Sequence, residues 1–479
     1  MLNQKCGSPY GYKENLSFLK QVHSYKIRII SFLKLIRKDI RIFHRKGTIM
    51  ESTIFLKNLL DGYDVSLSHS GVNGERLAAR LDALSKIGAA ENGGVTRLGY
   101  SIEEKQAKEL VIGWMKEAGL SITIDGAGNV FGRLEGKQEA PAVMSGSHLD
   151  SVPNGGNFDG PLGVLAALEI VEAWNDTRYI PPIPYEVAIF TDEEGSRFKA
   201  GLTGSRSFVG KITSAELDQL IDKGGQTFDE IIKDYGSNRQ AFLDPHYRTR
   251  AIQMFVEVHI EQGLILEKQD EPAGIVSGIA GPSWLEVSFK GKAGHAGNTP
   301  MEGRKDPVIA AGMFVQEIET LPRQVSQTAV ATVGKLDVIP NGVNVIAQEV
   351  NIMVDIRDIT EESRDSLLDQ ICQKAEEIAA NRGIEVTWNI NTRIKPLPIA
   401  KTMQERLATA MKKFDINPTY IPSGAGHDSM ILGEELPVAM IFTRSKDGIS
   451  HTPEEWSSLN DCIQTVHVLK AFIEDMMEG

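Results

Sequence analysis

The sequence has few cysteines, no long apolar run and no short repeat. Its 479 residues contain three cysteines, Cys6, Cys372 and Cys462, which are far apart and odd in number. Such spacing argues against a disulfide framework or a thiolate zinc site, and it favours the reducing cytoplasm as the location. No stretch approaches the roughly 20 apolar residues that a membrane-spanning helix needs. The length and composition instead indicate a globular protein of two or three domains.

Charge is unevenly distributed along the chain. The whole sequence has 51 Lys+Arg, 64 Asp+Glu and a net charge of -13. Residues 1–49 contain 11 basic and two acidic side chains, a net charge of +9, so the rest of the chain has -13 minus 9, or -22. An acidic body argues against nucleic acid as the main partner, because phosphate binding needs a basic surface.

The basic arm, residues 1–49, has two explanations. Residues 26–46 interleave apolar and basic side chains, a pattern that can form an amphipathic helix at a membrane surface. The longest uncharged run there, residues 29–33, is too short for stable membrane insertion. Alternatively, translation begins at Met50, where the composition changes abruptly, and residues 1–49 are an upstream extension. The second explanation is favoured.

Apolar periodicity predicts an α/β fold with one inserted domain. In most of the chain, short apolar runs typical of buried strands alternate with amphipathic helices. Residues 283–394 instead show the order strand, helix, strand, strand, helix, strand, which is that of a ferredoxin-like unit. We therefore predict a discontinuous main domain, formed by residues 50–282 and 395–479, with residues 283–394 inserted into it.

Polar residues at the ends of the predicted strands indicate a metal centre. Ligands collect at the carboxyl ends of strands in open α/β sheets, where His148, Glu193 and Glu194 lie. Imidazole and carboxylate suit zinc, manganese and similar ions, and two ions within about 4 Å need a shared carboxylate. Asp159 suits that bridge because it lies among glycines. Each residue alone is more typical of a surface histidine or a helix cap. Five candidate ligands are nevertheless found together: His148, Asp159, Glu194, His259 and His451.

The motifs around these residues, in this order, resemble the dinuclear amidase branch of the zinc peptidase and aminoacylase superfamily. The resemblance extends from about Ser66 to the C-terminus, outside the basic arm. Its members include N-carbamoyl-L-amino-acid hydrolases, β-ureidopropionases and allantoate amidohydrolases. The matching blocks are Gly-Ser-His-Leu-Asp-Ser-Val (146–152), Gly-Gly-Asn-Phe-Asp-Gly (155–160), Phe-Thr-Asp-Glu-Glu-Gly-Ser-Arg-Phe (190–198), His-Ile-Glu-Gln-Gly (259–263), Gly-Lys-Ala-Gly-His-Ala-Gly (291–297), Ser-Gly-Ala-Gly-His-Asp (423–428) and Ser-His-Thr-Pro-Glu-Glu (450–455).

The resemblance implies a role for each candidate ligand. Two divalent metal ions per subunit are expected, with zinc as the first choice and manganese, cobalt or nickel as alternatives. Asp159 would bridge the two ions. His148 and His259 would hold one ion, and Glu194 and His451 the other. The main domain would therefore be the metal-binding, catalytic domain.

The implied general base is Glu193. It would take a proton from the attacking water and pass it to the leaving amine. Asp150, two residues after His148, would not bind metal itself but would orient that imidazole or the base. A turn or helix cap explains Asp150 equally well.

A second set of residues lies in and near the inserted domain. The planar fork of Arg357 suits a substrate carboxylate, although an ion pair at a sheet edge is the structural alternative. The resemblance implies that Arg357 and Asn344 bind the substrate carboxylate, and that His295, supplied by the other subunit, binds the oxyanion. A homodimer is therefore expected, with the inserted domain as interface and lid. Further implied substrate contacts are Gln262, Gly426 and His427.

The expected activity is hydrolysis of the ureido C–N bond of N-carbamoyl-L-amino acids. Allantoate is also a small ureido-carboxylate, so an allantoate amidohydrolase fits the same residues. A metallopeptidase or aminoacylase is less favoured, because the resemblance places His259 where the peptidases tend to use a carboxylate. A non-catalytic or membrane-associated protein is disfavoured by the complete set of ligands and base.

Overall fold

The computed structural model describes residues 53–244 and 251–478. The predicted basic arm lies outside these residues. The described chain from Asn58 onward belongs to one compact unit. Of the helices described, none combines the length and the apolar character that a bilayer crossing requires.

A nine-stranded sheet organises most of the chain. Its strands are β1 (Ser121–Ile124), β2 (Val130–Leu134), β3 (Ala142–His148), β4 (Tyr185–Phe190), β5 (Ile252–Ile260), β6 (Ala273–Ile279), β13 (Leu397–Pro398), β14 (Tyr420–Ser423) and β15 (Val438–Thr443). Their order is β1-β2-β4-β3-β5-β15-β6-β13, and β14 pairs with β6. Strands β4, β3, β5 and β15 are parallel neighbours at the centre.

Three of the four central strands are buried along their whole length. Every residue of β3, β4 and β15 is buried. This is expected of parallel strands that are covered on both faces, and it explains their continuous apolar sequences. These strands are the short apolar runs that indicate buried strands in the sequence: the run at 185–190 forms Tyr185–Phe190, and the runs at 141–145 and 437–442 form Ala142–His148 and Val438–Thr443.

Helices cover the large sheet. The helix at Pro161–Thr177 is buried at every position from Pro161 to Val171 and packs on β3, β4 and β5. Another begins after Ser101, whose side chain accepts a hydrogen bond from the Glu104 amide and so caps the helix. The helices outside the inserted segment are α1 (Ile54–Leu60), α2 (Gly74–Ser85), α3 (Ile102–Glu117), α4 (Pro161–Thr177), α5 (Thr203–Phe208), α6 (Ser214–Leu217), α7 (Phe228–Tyr235), α8 (Arg239–Phe242), α9 (Ile265–Gln269), α13 (Lys401–Lys412), α14 (Asp428–Leu432) and α15 (Leu459–Glu478), with 3-10 turns at Val65–Leu67 and Lys446–Gly448.

A separate four-stranded antiparallel sheet follows β6. It consists of β7 (Gly281–Lys290), β9 (Val330–Ile339), β11 (Glu349–Asp358) and β12 (Glu385–Arg393), in the order β12-β7-β11-β9. Helices α10 (Pro307–Thr320), α11 (Pro322–Val325) and α12 (Glu361–Arg382) complete the segment, and α10 and α12 share an apolar core with the sheet. The short strands β8 (Gly294–His295) and β10 (Val345–Ile346) pair with each other. The predicted β-α-β-β-α-β order of elements is therefore present.

Candidate metal centre

The predicted ligands meet at the carboxyl ends of the central strands. His148 is the last residue of β3, His259 is the last but one of β5, and Glu194 lies in the loop after β4. They are neighbours because β3 lies between β4 and β5 in the sheet. The parallel arrangement thus places side chains from distant parts of the sequence at one edge.

The first group of ligand atoms is deeply buried. It contains His148, Asp159 and His259. Oδ1 of Asp159 lies 2.9 Å from Nε2 of His259 and 3.4 Å from Nε2 of His148. Gly160 makes this approach possible, because a Cβ on Gly160 would lie 2.5 Å from the His148 ring.

The second group shares Asp159 with the first. It contains Asp159, Glu194 and His451. Oδ2 of Asp159 lies 3.2 Å from Nε2 of His451, which is 3.6 Å from Oε2 of Glu194. The His451 side chain is 50% exposed, whereas those of Asp159 and Glu194 are 7% and 8% exposed. Each oxygen of Asp159 therefore faces a different group, and the second group is the one that opens to solvent.

The residues present fit divalent cations. Two ligand atoms bound tetrahedrally at zinc distances lie about 3.3 Å apart, close to the separations found in both groups. Nδ1 of His148 lies 3.1 Å from the Asp150 carbonyl, and Nδ1 of His259 lies 3.1 Å from the Ile260 carbonyl. A carbonyl can only accept, so each Nδ1 carries the hydrogen and each Nε2 is left as a ligand. Nε2 of His148 is buried and has no hydrogen-bond partner among the described residues.

Asp150 lies behind the centre and holds the loop after β4. Its Oδ1 accepts a hydrogen bond from the Glu193 amide at 3.2 Å, and its Oδ2 accepts one from the Glu194 amide at 3.1 Å. Oδ1 also lies 3.5 Å from Nδ1 of His148. One buried carboxylate therefore orients both adjacent glutamates and contacts the first histidine.

The carboxylates of the centre differ in their pKa values. Burial raises the pKa of Glu193 well above its usual range, and the nearby charge of Glu194 adds to the effect. Burial, together with the charge of Asp159, raises the pKa of Glu194 to about 7. Burial acts in the same direction on Asp159, but the charge of His259 and the proximity of the His148, His259 and His451 rings hold the pKa of Asp159 well below its usual range. The shared carboxylate is therefore the one that stays ionised most firmly.

Two of the predicted substrate residues lie within the centre. Nε2 of Gln262 donates to Oδ2 of Asp159 at 2.7 Å, and Gln262 has a left-handed φ of 54°. His427 is buried, its ring centroid is 4.4 Å from that of His259, and its Nε2 lies 2.8 Å from the Ser423 hydroxyl. Gly426, the residue before it, has the Leu202 side chain nearby.

The other predicted substrate residues lie on the four-stranded sheet and its loops. Arg357, on β11, donates from Nη1 to the Gly424 carbonyl at 2.6 Å and so reaches the loop before His427. His295 is exposed, and its Nδ1 accepts hydrogen bonds from the amides of residues 297 and 298. Asn344 is also exposed, and its carbonyl accepts from the Ala296 amide. Among the described residues, neither His295 nor Asn344 contacts the ligand groups.

Sequence reasoning missed two residues of the centre. Ser450 lies 3.2 Å from Oδ2 of Asp159, and Glu455 accepts from the Asp159 amide at 3.1 Å. Both belong to the Ser-His-Thr-Pro-Glu-Glu block, so proximity to His451 was the one signal that could have identified them. The expected ligand set brings His451 beside Asp159, but nothing in the sequence indicates that Ser450 and Glu455 contact Asp159 as well.

The fold and the site together define a class of protein. A buried aspartate shared by two groups of histidine and carboxylate, at the edge of a parallel sheet, is a candidate dinuclear hydrolase centre. The model of peptidase family M20/M25/M40 matches residues 144–475, and the chain belongs to this family.

Within the family, the chain is similar to amidohydrolases that are named for ureido compounds. It is 41% identical to an N-carbamoyl-L-amino acid amidohydrolase of Geobacillus stearothermophilus over 409 residues, 85% of this chain and 100% of the relative. It is 34% identical to an allantoate amidohydrolase of Bacillus subtilis over 383 residues, 79% of this chain and 92% of the relative. A crystal structure of a hydantoinase/carbamoylase-family amidase from Burkholderia multivorans superposes with a TM-score of 0.79 at 34% identity, covering 85% of this chain and 98% of that one.

Proposed function

We propose that this protein hydrolyses the ureido C–N bond of N-carbamoyl-L-amino acids and releases the amino acid, carbon dioxide and ammonia. The main support is the position of Asp159, whose two carboxylate oxygens face two separate groups of metal-ligand atoms. The identity to the N-carbamoyl relative is higher than to the allantoate relative, which favours the first substrate class.

The proposed cofactor is a pair of divalent ions, with zinc expected first and manganese, cobalt or nickel as alternatives. His148 and His259 would hold one ion, Glu194 and His451 the other, and Asp159 both. Bound ions of this kind polarise a carbonyl and acidify water. Half exposure of His451 supports entry of substrate from the side of the second group.

Glu193 is the proposed general base. Its carboxylate lies beside the centre, 3.8 Å from Nε2 of His148, and is not a member of either ligand group. Asp150 fixes its backbone, which leaves the side chain free to face the reacting water. A raised pKa suits a base that takes a proton from water and returns it to a leaving amine near neutral pH.

The four-stranded sheet is the proposed lid and dimer interface. Arg357 would bind the substrate carboxylate, and its contact with the loop that contains Gly426 and His427 supports this role. Asn344 and Gln262 would assist in binding. Exposure of His295 on the lid is compatible with a role in the site of a second subunit. We propose a cytoplasmic homodimer.

Allantoate is the second candidate substrate. It also combines a ureido group with a carboxylate, and an allantoate amidohydrolase is among the relatives. The residues described above do not distinguish the two substrates.

A substrate panel tests the proposal. Metal-reconstituted protein is incubated with N-carbamoyl-L-amino acids of different side chains, N-carbamoyl-D-amino acids, allantoate and dipeptides, and ammonia and free amino acid are measured. The expected result is ammonia release from the N-carbamoyl-L series with a kcat/KM at least tenfold above that for allantoate. Preference for allantoate would select the second candidate, and dipeptide cleavage without ammonia release would exclude both.

A further inference from the structure

Glu455 links two loops of the metal centre. Its Oε1 accepts hydrogen bonds from the amides of Phe158 and Asp159 at 2.8 and 3.1 Å. Its Oε2 accepts from the Ser450 hydroxyl at 3.0 Å and from the His451 amide at 3.4 Å. One carboxylate therefore contacts the backbone of the shared ligand and the backbone of the most exposed ligand.

The link is buried and closely packed. Glu455 is 3% exposed, and the rings of Phe158 and Trp456 pack edge to face beside it with centroids 5.5 Å apart. A Cβ on Gly156 would lie 2.1 Å from the Glu455 carboxyl, so only glycine leaves room for it there. Water cannot easily replace these contacts, because both the carboxyl and its donors are enclosed.

The carboxylate of Glu455 forms no direct ion pair with any Lys, Arg or His among residues 53–244 and 251–478, although its charge acts on the His451 imidazole. A buried carboxylate in such a position is costly unless several donors satisfy it. All its donors belong to the two loops, so its contacts serve to hold those loops together.

We propose that Glu455 is a positioning residue for the second ligand group: it fixes the Asp159 loop and the His451 loop at the separation at which Oδ2 of Asp159 and Nε2 of His451 hold one cation. This inference rests on the proposed metal centre. It assigns Glu455 no contact with substrate. Loss of the link should therefore weaken binding at the second group more than at the first. Asp159 contributes to both groups, but the first keeps His148 and His259 on strands β3 and β5, and neither histidine is hydrogen-bonded to Glu455.

Glu455→Gln tests the inference with little change in size. An amide has one acceptor oxygen, so its NH2 group must face donors from one of the loops. Metal-free protein is titrated with zinc in the presence of a competing chelator, and both dissociation constants are measured. We expect the dissociation constant of the more weakly bound ion, which we assign to the second ligand group, to rise by about 10- to 100-fold, as is typical when a hydrogen-bond partner of a ligand is removed. The dissociation constant of the more tightly bound ion should change less than threefold.

Two controls separate positioning from general destabilisation. Glu454→Gln alters the neighbouring exposed glutamate and should leave both constants unchanged. Excess zinc should restore the hydrolytic rate of Glu455→Gln, because the chemistry itself is intact, whereas a merely structural defect would lower the thermal midpoint of the metal-free protein without such rescue. Gly156→Ala, which displaces the carboxylate without removing it, should reproduce the selective weakening if Glu455→Gln fails to fold.

The outcomes distinguish this inference from the proposed function. If wild type binds two ions and neither Glu455→Gln nor Gly156→Ala changes either dissociation constant, Glu455 has no positioning role. The inference is then overturned, while the proposed function stands. If wild type binds no zinc, manganese, cobalt or nickel, the proposed metal centre is overturned and the inference with it.

Discussion

Arg357 and Asp355 form an ion pair with two parallel hydrogen bonds along strand β11. Nε and Nη2 of Arg357 donate to Oδ1 and Oδ2 of Asp355, each at 2.8 Å. The remaining nitrogen donates to the Gly424 carbonyl. The pair fixes the guanidinium plane before any substrate arrives, with Nη1 directed toward the Gly424–His427 loop. An orientation of this kind favours recognition of a carboxylate, because less side-chain entropy is lost on binding.

Arg357→Lys is expected to weaken substrate binding. Lysine keeps the charge but cannot form the planar fork, so a charge-assisted hydrogen bond is lost and kcat/KM for N-carbamoyl substrates should fall about 10- to 100-fold, mainly through KM. Steady-state kinetics measure this. Arg393→Lys, on strand β12 of the same sheet, is the matched control and should change kcat/KM less than threefold. An unchanged KM for Arg357→Lys would place the substrate carboxylate elsewhere.

Glu193→Gln is expected to separate chemistry from metal binding. Glutamine cannot accept the proton, so kcat should fall by about 10²- to 10⁴-fold while metal content stays at the wild-type value. Metal analysis and single-turnover kinetics check both expectations. The neighbouring change Glu194→Gln should instead reduce metal content. Retention of most of the wild-type rate in Glu193→Gln would show that another group is the base.

Removal of metal is expected to lower thermal stability as well as activity. A ligand that binds only the folded state at 100 times its dissociation constant adds about 2.7 kcal/mol to the free energy of unfolding. The midpoint of thermal unfolding should therefore fall after treatment with a chelator and recover when zinc is returned. Asp159→Asn removes the shared carboxylate charge and should abolish the metal-dependent shift. An equal shift in that variant would mean that the cations bind outside the two groups.

His467 is expected to make the fold sensitive to mild acid. Burial lowers its pKa to about 4, its Nε2 donates to the Leu67 carbonyl at 2.8 Å, and its ring stacks on His69 at 4.0 Å. The unfolded pKa is near 6.5, so the unfolded state binds the proton first as pH falls. The free energy of unfolding should then decrease by about 2 kcal/mol between pH 7 and pH 5 through this group alone.

Urea unfolding of metal-free protein at both pH values measures this effect. His467→Gln retains a donor for the Leu67 carbonyl but has no proton to gain. The decrease in the variant should be smaller by the stated amount, because all other titrating groups are common to both proteins. Equal decreases would show that burial does not lower the pKa of His467 in the folded protein.

The sequence predicted which side chains meet at the edge of the sheet because simple rules apply to them. His148 and Glu194 follow apolar runs that can only be central strands, and parallel strands bring their carboxyl ends to one edge. The order of elements in the four-stranded sheet was predictable for a similar reason, since its strands and helices have distinct periodicities. In both cases the apolar and polar pattern of neighbouring residues was sufficient for the prediction.

The remaining features depend on backbone conformation and long-range contact. Asp192, Gln262 and His451 have left-handed φ values of 55°, 54° and 59°. A glycine in the sequence would indicate such a backbone conformation, but these residue types do not. The contact of Glu455 with Asp159 joins residues 296 positions apart. Sequence patterns describe neighbours in the chain, so neither feature could be predicted.

The half-exposed side chain of His451 gives the centre one face toward solvent. In the proposed dinuclear centre, exchange with the medium should therefore be asymmetric: a cation beside His451 would leave and return quickly, while one beside His148 and His259 would be replaced slowly. Purified samples would then retain the inner ion from the cell and acquire the outer one from the buffer. The expected result is a protein with two different metals, whose metal content depends on the buffers used in purification.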